Sequence, residues 1–75
     1  MNFDKELDAR GLACPLPIVK TRKALSDMAS GQVLKVTATD SGSMADMAAF
    51  SEQTGNQLLS SAQQGSTYVF FLKRR

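Results

Sequence analysis

Cys14-Pro15-Leu16-Pro17 is where this chain could do chemistry, because it holds the sole cysteine and both prolines among 75 residues. Proline at both +1 and +3 of a given cysteine arises by chance roughly once in four hundred, at a usage of about 5%. Proline suits the first turn of a helix, where its missing N–H has no intrahelical partner to lose. The run Ile18-Val19-Lys20-Thr21-Arg22-Lys23-Ala24-Leu25 then lacks Gly and Pro. Cys14 is therefore expected at or next to an N-cap, with Pro15 at the first helical position. The sulfur would lie at the positive end of a helix dipole, near the free N–H groups of Leu16 and Ile18, which favours a thiolate and lowers its pKa. Such a thiolate can accept a sulfur atom, and the resulting persulfide would be an anion held by the same amides. Gly11 supplies a permissive turn before the cysteine. Arg10 would add positive potential beside the sulfur and Asp8 would oppose it, although both also read as solvated strand-end residues. The plain alternative is a small buried hydrophobe, as unpaired cysteines commonly are. A glycine turn on one side and two helix-start prolines on the other argue against it.

What is missing narrows the chemistry further. With no His and one Cys, a Cys/His zinc site, a Ser–His–Asp triad, a Cys–His pair and a C-x-x-C dithiol are all excluded. No metal and no cofactor is expected. A single cysteine makes no internal disulfide, so nothing points to an oxidising compartment. The opening Met1-Asn2-Phe3-Asp4-Lys5-Glu6 has no apolar signal-like run, and the apolar stretch Tyr68 to Leu72 is far too short to span a bilayer. The expectation is a cytoplasmic protein with no membrane span, forming a single domain over residues 1–75. A chain this short has little room for a deep substrate pocket, so an exposed group or surface should carry its function. The net charge of +2 is too small to mark a nucleic-acid binder. Basic residues do cluster, at Lys20, Arg22 and Lys23 and again at Lys73-Arg74-Arg75. Each cluster is either a solvated face or a docking surface for an acidic partner or for RNA.

The elements that must position the cysteine can be read from periodicity. A strand is predicted from Lys5 to Ala9, with Leu7 inward. The first helix places Ile18, Arg22, Leu25 and Ala29 at helical spacing with Met28 beside them, so this side should pack on a sheet, and Gly31 should stop the helix. Val33 to Thr39 reads as a strand with Leu34, Val36 and Ala38 on the better-buried face. Asp40-Ser41-Gly42-Ser43 is a turn, with Ser43 and Asp46 approximating a capping box. A second helix from Met44 to Thr54 carries Met44, Met47, Ala48 and Ser51 on one stripe, and Gly55 stops it. Leu58 to Gln63 and Thr67 to Lys73 read as the last strands, joined by a Gly65-Ser66 turn. The order βαβαββ implies a mixed four-stranded sheet with a right-handed crossover through the first helix.

Leu7-Asp8-Ala9-Arg10-Gly11-Leu12-Ala13-Cys14-Pro15-Leu16-Pro17 resembles the signature of the TusA/SirA-type sulfur carriers, and the likeness runs over nearly the whole chain. The resemblance implies an α/β (α+β) two-layer sandwich with both helices on one face of the sheet. It implies a sulfurtransferase component that holds sulfur as a persulfide on Cys14, with Gly11, Pro15, Leu16, Pro17 and Ile18 as its frame. Its partners would be a cysteine desulfurase or rhodanese-type donor and a downstream sulfur-acceptor protein; the clustering of Lys20, Arg22 and Lys23 on the first helix makes them the candidate docking residues. No direct nucleic-acid contact is expected, and the protein should be a monomer. Some relatives that feed tRNA thiolation carry an acidic residue between the prolines, where this chain has Leu16. Thiosulfate or other sulfur metabolism and cofactor sulfuration therefore stand beside tRNA thiolation as destinations. A second cysteine found in some relatives is replaced here by the Phe50-Ser51 region, so no resolving thiol is available. The rival reading is a non-catalytic regulatory or protein-interaction module, which should tolerate loss of the Cys14 thiol where a carrier cannot.

Overall fold

In the computed structural model, which describes residues Met1–Arg75, the elements follow in the order β1 Lys5–Ala9, α1 Leu16–Ser26, β2 Val33–Ala38, α2 Ser43–Thr54, β3 Gln57–Gln64 and β4 Thr67–Lys73. They form one mixed sheet in the order β1-β2-β4-β3. β1 runs parallel to β2, pairing Leu7 with Val36 and Ala9 with Ala38. β4 runs antiparallel to both β2 and β3 and so takes a central place. A central strand covered on one face and partly screened on the other tolerates apolar residues on both, as Thr67–Lys73 has.

Alternation decides which face the helices cover. Leu34, Val36, Ala38, Phe70 and Leu72 are fully buried and share a core of 11 residues with Ala24, Leu25 and Met28 from α1 and its end, and Met47 and Phe50 from α2. Both helices therefore lie on the same face, as the two-layer reading expects. Val69 and Phe71 point to the other face, where the Phe3 ring lies 6.3 Å from Phe71 between centroids. Lys35 Nζ sits 5.3 Å from the Phe3 ring centre, and it also approaches Glu6 at 3.8 Å. The open face is thus partly roofed by the N-terminal segment. Asp4 pins that segment, donating its N–H to the Val33 carbonyl and accepting the Val33 N–H, each at 2.8 Å.

The helices depart from expectation in three ways. First, α1 ends at Ser26, not at Gly31. Ser26 Oγ donates to the Lys23 carbonyl at 2.6 Å, and the Ala29 N–H is taken by Gln32 Oε1 at 2.8 Å. Those bonds spend the backbone groups that another helical turn would need. Gly31, with φ +88, serves instead in the turn before β2. Second, the buried side of α1 is Pro17, Thr21, Ala24 and Leu25, with Arg22 and Ala29 exposed and Ile18 half-buried. The polar Thr21 packs inward, so the stripe is rotated by one position from the predicted one. Third, the capping box does not form. The N-cap of α2 is Gly42, without a side-chain capping bond, and Ser43 is buried in the first turn with its Oγ unpaired. On α2 the buried residues are Ser43, Met47 and Phe50, while Ala48 is exposed and Ser51 half-buried. Gly55 ends α2 as expected, in the left-handed region at φ 80.

Candidate functional site

The loop from β1 to α1 is held at both sides of the cysteine. Gly11, at φ +80, donates its N–H to Thr39 Oγ1 at 2.8 Å, tying the loop to the end of β2. Leu12 packs on the core and Pro17 is buried. Between those anchors Ala13, Cys14, Pro15 and Leu16 are exposed. Burial on either side holds the backbone in place, so the sulfur can stand in solvent without the loop becoming loose. The Cys14–Pro15 peptide bond is cis.

The N-cap of α1 is Pro15, and Cys14 stands one residue before it. Cys14 is thus next to the cap, but Pro15 is not yet helical. Nor are both expected amides free. Leu16 donates to the Ala13 carbonyl at 2.9 Å, and Val19 makes the first helical bond, to the Pro15 carbonyl at 3.1 Å. Pro17 has no N–H, which leaves Ile18 as the free donor of the opening turn.

Cys14 lines an open groove of about 230 Å³ between the two helices, together with Pro15, Ile18 and Arg22 from the α1 side and Asp46, Ala49, Phe50 and Gln53 from α2. Arg22 lies over the Phe50 ring at 5.6 Å, which fixes its guanidinium along the groove wall. Asp46 is the residue that sequence reasoning missed as part of the site. Its signal was the Ser43-x-x-Asp46 spacing, read as a cap; because Gly42 takes that place, the carboxylate is left to face the groove. It changes the electrostatics. The thiol is pushed above its ordinary pKa, first by Asp46 as an acceptor for the thiol proton, then by partial desolvation, and then by the charges of Asp46 and Asp40. That direction is opposite to the lowering expected of the helix end, and its causes are Asp46 on α2, desolvation and Asp40 in the loop before α2.

The other predicted site residues separate into distinct places. Asp8 and Arg10 form a two-pronged pair, Arg10 Nε to Asp8 Oδ1 at 2.9 Å and Arg10 Nη2 to Asp8 Oδ2 at 3.0 Å. They line a hollow with Glu6 and Thr37 and are not brought into the groove of Cys14. The pairing holds the Asp8 carboxyl down at about 2, chiefly through the Arg10 side chain. Lys20 and Lys23 face a hollow with Lys5, Leu7, Ala24 and Asp27, so of the three basic helix residues only Arg22 reaches the groove. Leu16 and Val19 are exposed at 46% and 54%, and Met44 at 36%. Large apolar side chains thus stand open in the first turns of both helices, at the end that holds Cys14. No group of three or more His, Cys, Asp or Glu is placed to hold a metal ion. No helix is long and apolar enough to cross a membrane.

Residues 5–74 match the family described as "Sulfurtransferase TusA". The chain is 53% identical over 73 residues to the sulfur carrier protein TusA of Allochromatium vinosum, covering 97% of this chain and 96% of that one. It is 46% identical over 74 residues to YrkI of Bacillus subtilis, covering 99% of each. Its fold matches the crystal structure of a SirA-like protein from Desulfitobacterium hafniense with a TM-score of 0.82, at 22% identity, over 93% of this chain and 96% of that one. The chain belongs to the TusA family.

Proposed function

We propose that residues 1–75 act as a sulfur carrier domain that holds sulfur as a persulfide on Cys14. The domain relays that sulfur from a cysteine desulfurase or rhodanese-type donor to an acceptor protein. One observation carries the reading: the sole cysteine is exposed, on a loop anchored at both sides, within a groove too open to enclose a substrate of its own. A thiol displayed in that way is built to enter the active sites of other proteins. The curated relative from Allochromatium vinosum bears the name sulfur carrier protein, which agrees with it.

The chemistry asks little of the carrier. Cys14 Sγ attacks the outer sulfur of the donor persulfide and a new S–S bond forms. The donor's S–S bond breaks, and the donor cysteine leaves as a thiolate that takes the proton Cys14 gave up. No oxidant is consumed, since one S–S bond replaces another. The terminal sulfur of a persulfide is more acidic than a thiol, so the loaded carrier bears an anion near the free Ile18 amide and the positive end of α1. The exposed Leu16, Val19 and Met44 would give a docking partner apolar area around the sulfur.

The test is direct. Incubation with a cysteine desulfurase and cysteine, or with a rhodanese and thiosulfate, should add one sulfur atom to the intact mass. A reductant should remove it, and Cys14→Ser should never acquire it. Equal loading of the serine variant, or no loading from either donor class, would remove the carrier reading.

A further inference from the structure

The carboxylates beside Cys14 have no partner of opposite charge. The ion pairs of the protein are Arg10 with Asp8 and Lys35 with Glu6, which leaves Asp40 and Asp46 unpaired. Both converge on one point of backbone: a Cβ on Gly42 would lie 3.2 Å from Asp40 Oδ2 and 3.7 Å from Asp46 Oδ2. Asp40 accepts the Gly42 N–H at 3.1 Å, whereas Asp46 makes no side-chain capping bond to its own helix. Asp46 instead shares the groove with the sulfur. The charged groups that share the groove with Cys14 are thus Asp46 from α2 and Arg22 along the α1 wall, held on Phe50, while Asp40, on the loop before α2, converges with Asp46 on Gly42. For a protein whose sulfur should be nucleophilic, an unpaired carboxylate beside it works against reactivity.

Resting on the carrier reading, we propose that Asp46 is a positioning residue for sulfur transfer. It keeps the proton on the resting Cys14 thiol until a cationic side chain of the docked sulfur donor pairs with Asp46 and Asp40 and frees the sulfur to attack. The proton released then passes to the departing donor thiolate, so the step balances as before. A carrier guarded in this way is slow to react with stray disulfides and electrophiles, because the thiolate is the reactive form. It becomes reactive only where a partner supplies positive charge. The donor surface that fits this end of the groove therefore presents a lysine or arginine next to its persulfide, with apolar area for Leu16, Val19 and Met44.

The experiment needs no sulfur donor, so its failure is distinct from failure of the carrier reading. Alkylation of Cys14 by iodoacetamide is followed against pH in the intact chain, with circular dichroism to confirm folding. Asp46→Asn should move the midpoint of the profile to lower pH and raise the rate at neutral pH a few-fold. Asp46→Glu should keep the profile near wild type, and Asp40→Asn should give a smaller shift in the same direction, which also serves if Asp46→Asn does not fold. Oligolysine at low salt should speed alkylation of the wild type and leave the Asp40→Asn/Asp46→Asn double variant unchanged. An unchanged or higher midpoint in the asparagine variants would overturn the role of Asp46. An oligolysine effect that is absent, or equal in the double variant, would overturn the cationic partner.

Discussion

The two ends of the helix layer share one electrostatic plan and put it to opposite uses. The N-terminal ends of α1 and α2 meet at Cys14 and Asp46, and their C-terminal ends meet at Leu25, Ser26, Thr54, Asn56, Arg74 and Arg75. Carboxylates at the first end and guanidinium groups at the second complement the helix dipoles. At the basic end the Arg74 guanidinium is occupied by the fold: its Nε donates to the Leu25 carbonyl and its Nη1 to the Arg75 carbonyl, each at 3.0 Å, while the Arg75 backbone N–H donates to Asn56 Oδ1 at 2.8 Å. At the acidic end neither helix has a side-chain capping bond, and the sulfur stands exposed. Where the polar groups are satisfied by their neighbours, charge serves stability. Where they are left unpaired, it is available to a partner.

Phe50 joins the two ends, since its ring lines both grooves, so its loss should have the largest effect. It is 3% exposed, and Phe50→Ala should cost about 3–5 kcal/mol of stability through lost burial and a cavity. Arg22 would lose its platform as well. Urea unfolding measures the first effect. A cost below about 0.5 kcal/mol, the range of an ordinary surface change, would show that the helices are held together without this ring.

Gly55 sharpens the comparison at the structural end. A side chain there must adopt φ 80, and its Cβ would lie 2.9 Å from Arg75 Cδ. Arg75 can swing away, so the backbone strain decides, at about 1–2 kcal/mol for Gly55→Ala. Cys14 alkylation should not change in a variant altered so far from the sulfur. Arg74→Ala should cost about 1 kcal/mol through the lost bond to Leu25, again with an unaltered Cys14 profile. If either variant shifted that profile, the ends would be coupled through the groove, and the division of labour between them would fail.

Most of the scaffold was legible in the sequence because strand periodicity is strong there. Leu34, Val36 and Ala38 against Val33, Lys35 and Thr37, and the φ-permissive glycines at Gly11 and Gly55, place β2 and the turns almost residue by residue. The end of α1 was not legible, because Ser26 and Gln32 stop the helix with side-chain bonds that no glycine announces. The rotation of α1 was hidden by Thr21, a polar residue that packs inward. At the site, Cys14 and its prolines were plain, but the company it keeps was not. Asp46 lies on another element, and nothing in the local spacing says that a serine will decline to cap and leave the aspartate facing a thiol. Electrostatics between elements depends on tertiary placement, which periodicity does not encode.

The smallest effect belongs to a pair outside both ends. Asp8 and Arg10 flank the loop that leads to Cys14, with side chains 61% exposed on each partner. Asp8 is held at about 2 against an ordinary 3.8, first by the Arg10 side chain and then by the Arg10 backbone N–H. Because the folded pKa is depressed, the pair's contribution to stability is fully present above the ordinary value and is lost as pH falls from 3.8 toward about 2. Solvent screening keeps that contribution small. Arg10→Ala should return Asp8 to an ordinary titration, read from its carboxyl carbon shift by NMR, and thermal melts of wild type and variant should converge below pH 2. At neutral pH the variant should melt only slightly earlier and alkylate at Cys14 as the wild type does, because the pair lies outside the sulfur's groove. A wild-type Asp8 that already titrates at its ordinary value would dissolve the pair, and an altered Cys14 profile would bring Arg10 back to the sulfur.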